Sequence, residues 1–179
     1  MAVDYLARLS PTGAGRGAAA YHDKRFAIMA ALENFDTAIY VDADSRITAL
    51  SALDDVFPAG IAVIPLVRWS IAEHLKTAGS WRLPFFVDLA RHLTGSADIL
   101  ETARWCHETP LAVTKDGKEG QFFKAWSLAA DFMQSREVYS GEGGVIGLAA
   151  ACAGWGVDYE TIMRIAASIQ HEGGGPKGA

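Results

Sequence analysis

Thr37-Ala-Ile-Tyr-Val-Asp42-Ala-Asp44-Ser-Arg46-Ile47 decides how the rest of the chain reads. β-Branched, aromatic and small apolar residues run into two acids separated by one spacer, the pattern of a buried strand that ends in a polar loop. The acids then stand at the strand's carboxyl end, where open α/β sheets keep their ligands. Two carboxylates so close repel each other unless a positive charge lies between them, and a divalent cation with oxygen ligands is the common solution. A cation held there can grip a second anion such as a diphosphate. An acid after a strand also serves as a turn or helix-capping residue, so the motif needs support from elsewhere in the chain.

On the amino-terminal side, residues 18–35 show helical spacing, with Phe26, Met29, Ala30 and Leu32 on the expected buried face and His22, Lys24, Arg25 and Glu33 outside it. Lys24 and Arg25 therefore lie on the helix that leads into the acidic strand. The loop before it, residues 10–17, is glycine-rich but has neither GxGxxG nor a following GK[ST], and reads as a linker. On the other side, residues 61–67 read as a second strand, which Pro65 places at a sheet edge. Residues 69–108 are mainly helical in composition, broken near Gly79, Pro84 and Gly95, with Pro84 suited to a first helical turn. A short strand over 111–114 closes in the turn Lys115-Asp-Gly-Lys118. Helices are predicted over 121–133 and 142–152, and a last strand over 164–170 that ends in His171.

Composition narrows the class. A chain of 179 residues, half hydrophobic and 21% charged, is expected to form one globular domain with a real core. A formal net charge of -5 without a basic run argues against nucleic-acid binding by bulk electrostatics. The first residues lack the apolar core of a signal peptide, and the longest apolar stretch, 145–157, is too short and glycine-rich for a transmembrane segment, so a cytoplasmic protein is expected. Cys106 and Cys152 have no motif partners and read as buried thiols. Trp69, Trp81 and Trp105 suit a core, a lid or a sugar-stacking surface.

The far end supplies the support. His171-Glu-Gly-Gly174-Gly-Pro-Lys177 follows the last predicted strand: a histidine, glycines that let backbone N–H groups approach an anion, and a lysine beyond them. Set across from Asp42 and Asp44, His171 would complete a metal site, and an imidazole beside carboxylates suits manganese better than magnesium.

Asp42-Ala-Asp44 with His171-x-x-Gly174-x-x-Lys177 resembles the signature of metal-dependent GT-A glycosyltransferases, most closely the retaining family of glycogenin and bacterial lipopolysaccharide galactosyltransferases. The resemblance implies an α/β fold, a GT-A-like (Rossmann-like) mixed sheet flanked by helices over residues 1–179, with a shortened amino-terminal nucleotide-binding part. It implies a nucleotide-sugar donor (UDP- or GDP-sugar), a carbohydrate or other hydroxyl acceptor, and Mn2+ or Mg2+ as cofactor. Carried over residue by residue, Asp42 contacts ribose and metal, Asp44 and His171 ligate the metal, and Gly174 and Lys177 hold the donor diphosphate. Lys24 or Arg25 supplies the basic residue common on the preceding helix, and Glu142 takes the post of the acid that opens a helix facing the sugars. Glu142 read alone is equally an acid favoured by a helix dipole. Where the family usually has Pro-Trp after the lysine, this chain has Gly178-Ala179. Two alternatives remain: a haloacid-dehalogenase-type phosphatase, whose Asp-x-Asp also follows a strand, and a non-catalytic domain that binds a nucleotide-sugar.

Overall fold

Strands of alternating apolar residues meet in a four-stranded mixed sheet of order β1-β4-β3-β5, formed by β1 (Thr37–Tyr40), β3 (Gly60–Val63), β4 (Leu111–Thr114) and β5 (Val157–Asp158). β4 runs antiparallel to both β1 and β3, while β3 and β5 are parallel. The carboxyl ends of β1, β3 and β5 therefore share one edge of the sheet, together with the beginning of β4. A second, two-stranded sheet pairs β2 (Ser45–Ile47) with β6 (Ile169–His171). The computed structural model describes residues 22–43, 45–49, 57–64, 68–138 and 141–171, with the backbone alone for His171.

The strands' two-residue period sorts their side chains onto two faces. Ala38, Ile61, Val63, Leu111 and Val113 enter the larger core. Ala62 and Ala112 enter a smaller one on the opposite face, where Ile162 and Ile165 of α7 (Thr161–Ala166) cover them. The larger core is walled by α1 (Lys24–Leu32), α2 (Ile71–Thr77), α3 (Leu83–Thr94), the short α4 (Ile99–Thr102), α5 (Glu119–Gln134) and α6 (Glu142–Cys152). α5 contributes Phe122, Trp126, Ala129 and Met133 at helical spacing, all fully buried. Each large side chain so buried stabilises the fold by roughly 1.5–3 kcal/mol.

α6 is apolar all round and buried along residues 142–150, as a helix enclosed by neighbours should be. Its glycines allow the enclosure. A Cβ at Gly143 would collide with the Cys106 carbonyl, and one at Gly147 with the Arg104 carbonyl. α2 starts in a capping box, in which the Ser70 hydroxyl accepts the Glu73 N–H and the Glu73 carboxylate accepts the Ser70 N–H. Pro84 lies in the first turn of α3, and Gly95 ends that helix at φ 81°.

Several expectations are corrected. β3 stops at Val63, before Pro65, and lies inside the sheet between β4 and β5, so the proline does not make it an edge strand. Residues 164–168, read as strand, belong to α7 and the turn after it, and only Ile169–His171 is extended. The predicted face of α1 is also rotated. Lys24, Arg25, Ile28 and Leu32 are buried, whereas Met29 is 41% exposed and Ala30 faces solvent. Cys106 is buried, and Cys152 is half-buried. Among the described residues, no helix is long and apolar enough to cross a membrane.

Candidate active site

The rotation of α1 has a chemical reason: Lys24 is turned inward onto acids. Its Nζ lies 3.2 Å from Glu142 Oε1 and 4.0 Å from Asp42 Oδ1, donates to the Glu108 carbonyl at 3.3 Å, and sits 4.8 Å from the centre of the Tyr40 ring. Four separate stretches of chain meet on one ammonium: the start of α1, the end of β1, the approach to β4 and the start of α6. They meet at the edge of the sheet where β1 ends.

Asp42 is held by its backbone. Its N–H donates to the Thr109 hydroxyl at 3.2 Å, and its carbonyl accepts the Ser45 N–H at 3.0 Å, closing a turn over residues 42–45. Its carboxylate is 34% exposed and so is the accessible member of the cluster.

Glu142 is the enclosed member, 5% exposed as a residue. Gly141 precedes it at φ 99°, a left-handed conformation that turns the chain into α6. Neither Glu142 oxygen accepts a hydrogen bond of ordinary geometry, which leaves the Lys24 ammonium as an ion-pair partner only. Burial pushes the Glu142 carboxyl up to about 8. Lys24 opposes that rise, and the negative charges of Glu108 and Asp42 add to it. A carboxyl that titrates near neutrality inside a group of charges is a recurrent property of functional sites.

Glu108, which the sequence alone did not single out, ties the cluster together. Its Oε1 accepts the Gly143 N–H at 3.0 Å, occupying a free donor in the first turn of α6. Its main-chain carbonyl accepts the hydrogen bond from the Lys24 ammonium. Nothing in Cys106-His-Glu-Thr-Pro110 signals this role, because it depends on the loop's position beside α6. Trp105 borders the same turn. It stacks on His74 with ring centres 3.6 Å apart, and the Arg82 guanidinium lies 5.7 Å from its ring and 5.9 Å from that of Trp81. Trp81 is 59% exposed.

Arg25 does not join the cluster. Its Nη1 donates to the His22 carbonyl at 2.7 Å and its guanidinium covers the Phe26 ring at 4.2 Å, so its buried charge supports the amino-terminal turn of α1. His22 accepts a hydrogen bond from Trp126 Nε1 at 3.2 Å. Its pKa is lowered to about 4 by burial and then by Arg25 and Lys24, which keeps the imidazole neutral.

Of the other expected site residues, Asp44, Gly174 and Lys177 lie outside the described residues, as does the His171 side chain. The backbone of His171 is described, and it pairs directly with Ser45, the residue that follows Asp44. Among the described residues, no group of three or more His, Cys, Asp or Glu side chains could hold a metal ion.

The chain matches no known protein family, no curated protein and no solved structure in the three comparisons made.

Proposed function

We propose that the protein is a metal-dependent glycosyltransferase of GT-A type, moving a sugar from a nucleotide-sugar donor to an acceptor hydroxyl. The observation that carries this reading is the convergence of Asp42, Lys24 and Glu142 at the carboxyl end of β1, beside the backbone pairing of Ser45 with His171. The first unites an accessible acid, a buried cation and an acid that holds a proton near neutrality. The second brings the backbone at His171 next to the residue that follows Asp44, and two carboxylates with one imidazole are a donor set that suits manganese. Asp42, Asp44 and His171 would hold it, and when bound it would neutralise the donor diphosphate as the glycosidic bond breaks.

The chain's own residues have separate tasks in this scheme. Asp42, about one-third exposed, meets the donor from the β1 edge. Lys24 holds Asp42 and Glu142 in a fixed relation and offsets their repulsion. Glu142, mostly protonated at neutral pH and with both oxygens closed off from water, acts through Lys24, which it shares with Asp42. Gly174 and Lys177 add N–H and ammonium groups around the leaving diphosphate.

The test is nucleoside diphosphate release from a panel of UDP- and GDP-sugars with Mn2+, for the parent chain and for Asp42→Asn and Glu142→Gln. Turnover that EDTA abolishes and both variants depress supports the proposal. Binding of a nucleotide-sugar without turnover makes the protein a binding domain, and hydrolysis of a small phosphomonoester with no sugar transfer makes it a phosphatase.

A further inference from the structure

A separate cavity of about 460 Å3 opens beside β5 and the end of α6, within the size range of small-molecule sites. Its lining combines Arg68, Arg104 and Tyr159 with an apolar wall that includes Ala151, Trp155 and Val157. Among the described residues, these two exposed cations stand without a committed anion. Among the described residues, no carboxylate forms a salt bridge to Arg68 or Arg104. The neighbouring acids are occupied: Glu73, close enough to feel the Arg104 charge, serves the Ser70 capping box, and Asp158 accepts the N–H groups of Glu160 and Thr161 at 3.2 and 3.1 Å.

The guanidinium groups are also positioned. Arg104 Nη1 donates to the Arg68 carbonyl at 3.0 Å, and the backbone of Arg104 bridges to Ser70. The Arg68 guanidinium lies 5.5 Å from the centre of the Tyr159 ring. The Tyr159 hydroxyl is shut off from water yet has no hydrogen-bond partner. A group closed to water does not face the cavity, so it is the Tyr159 ring, and not its hydroxyl, that belongs to the lining.

We infer that this cavity binds a small molecule bearing a phosphate monoester, with Arg68 and Arg104 on the phosphate oxygens and the body of the ligand against the apolar wall and the Tyr159 ring. A dianion matches two guanidinium groups in charge, and forked guanidinium donors match phosphate geometry. The inference is independent of the glycosyltransferase reading, because no residue of the Lys24 cluster lines the cavity.

Isothermal titration of the full chain with glycerol 3-phosphate, inorganic phosphate and acetate, in EDTA to remove any metal-held anion, tests it. Saturable binding of both phosphates and not of acetate is expected. The double variant Arg68→Met/Arg104→Met should lose about tenfold or more in affinity, as expected for charge-assisted hydrogen bonds. Tyr159→Phe, which keeps the ring beside Arg68, should bind phosphate as the parent does, and loss of binding in the double arginine variant at an unchanged melting temperature separates ligand recognition from a structural role. Absence of saturable phosphate binding to the parent chain, binding that survives the double arginine variant, or acetate binding as tight as phosphate would each overturn the inference.

Discussion

Lys24 Nζ stands 3.2 Å from Glu142 Oε1, and the two side chains are only 5% and 6% exposed. Removing one member of a buried ion pair costs about 3–5 kcal/mol, because the remaining charge is left out of water without compensation. Lys24→Met should lose less than that, about 1–2 kcal/mol, because Glu142 takes up a proton and leaves no bare charge in the core. Glu142→Gln should lose less, since the carboxyl already titrates near 8 and Lys24 keeps Asp42 and the Glu108 carbonyl. The double variant should be clearly less destabilised than the sum of the singles, measured by urea unfolding as a double-mutant cycle. Strict additivity would show that the pair is not energetically coupled.

Stability should have two pH limbs with different owners. Folding raises the Glu142 pKa from 4.5 to about 8, so the folded chain binds this proton more tightly, and its stabilising effect is full below pH 4.5 and lost as pH rises through 8. Folding lowers the His22 pKa from 6.5 to about 4, so the unfolded chain takes a proton that the folded chain refuses, and stability falls as pH drops from 6.5 towards 4. The two slopes oppose each other between 4.5 and 6.5 and leave Glu142 alone to act from there up to 8. A group in that position can change stability by at most about 1.4 kcal/mol per pH unit. Urea unfolding across this range should show the alkaline decline vanish in Glu142→Gln and the acid limb remain.

The glycines of α6 should be intolerant of a single methyl group. Gly147→Ala drives a Cβ into the Arg104 carbonyl, a backbone atom that cannot rotate away, and should cost about 3 kcal/mol or more through displacement of α6. Gly120→Ala in α5 meets nothing within 4 Å and should be neutral or stabilising by up to about 1 kcal/mol. Thermal melts of the two variants make the comparison. Equal melting temperatures would refute the close packing of α6 on the chain at Arg104.

Manganese affinity should follow the proposed donor set. His171→Ala and Asp42→Asn should each weaken Mn2+ binding by about tenfold or more, whereas His92→Ala, on the exposed side of α3, should leave it unchanged. The electron paramagnetic resonance signal of free Mn2+ reads this directly and needs no donor sugar. Unaltered affinity in His171→Ala would remove the histidine from the proposed set.

How much of this was readable from the sequence depended on whether local rules and tertiary needs agreed. The bounds of α6 follow from a run of small and apolar residues after Gly141, and β1 and β4 from four-residue apolar stretches, so sequence and structure coincide there. The face of α1 was not legible, because hydrophobic periodicity assigns Lys24 and Arg25 to solvent. Their burial requires acids and carbonyls contributed by distant parts of the chain. Residues 164–166 contain a β-branched isoleucine and small residues that suit a strand, but Ile162 and Ile165 are needed three apart to cover Ala62 and Ala112, and helix prevails. Glu142 was legible as a candidate from its place after Gly141, while Glu108 was not, because its partners are a helix-terminal N–H and a lysine far away in sequence.

The pairing of Ser45 with His171 also sets a timetable for synthesis. During translation Ser45–Ile47 emerges early, and the strand that pairs with it emerges only after every other described element has been made. Until then a nascent chain displays Ser45–Ile47 as an unmatched edge, open to association with other chains. Fragments ending before Ile169 should for this reason be prone to aggregation.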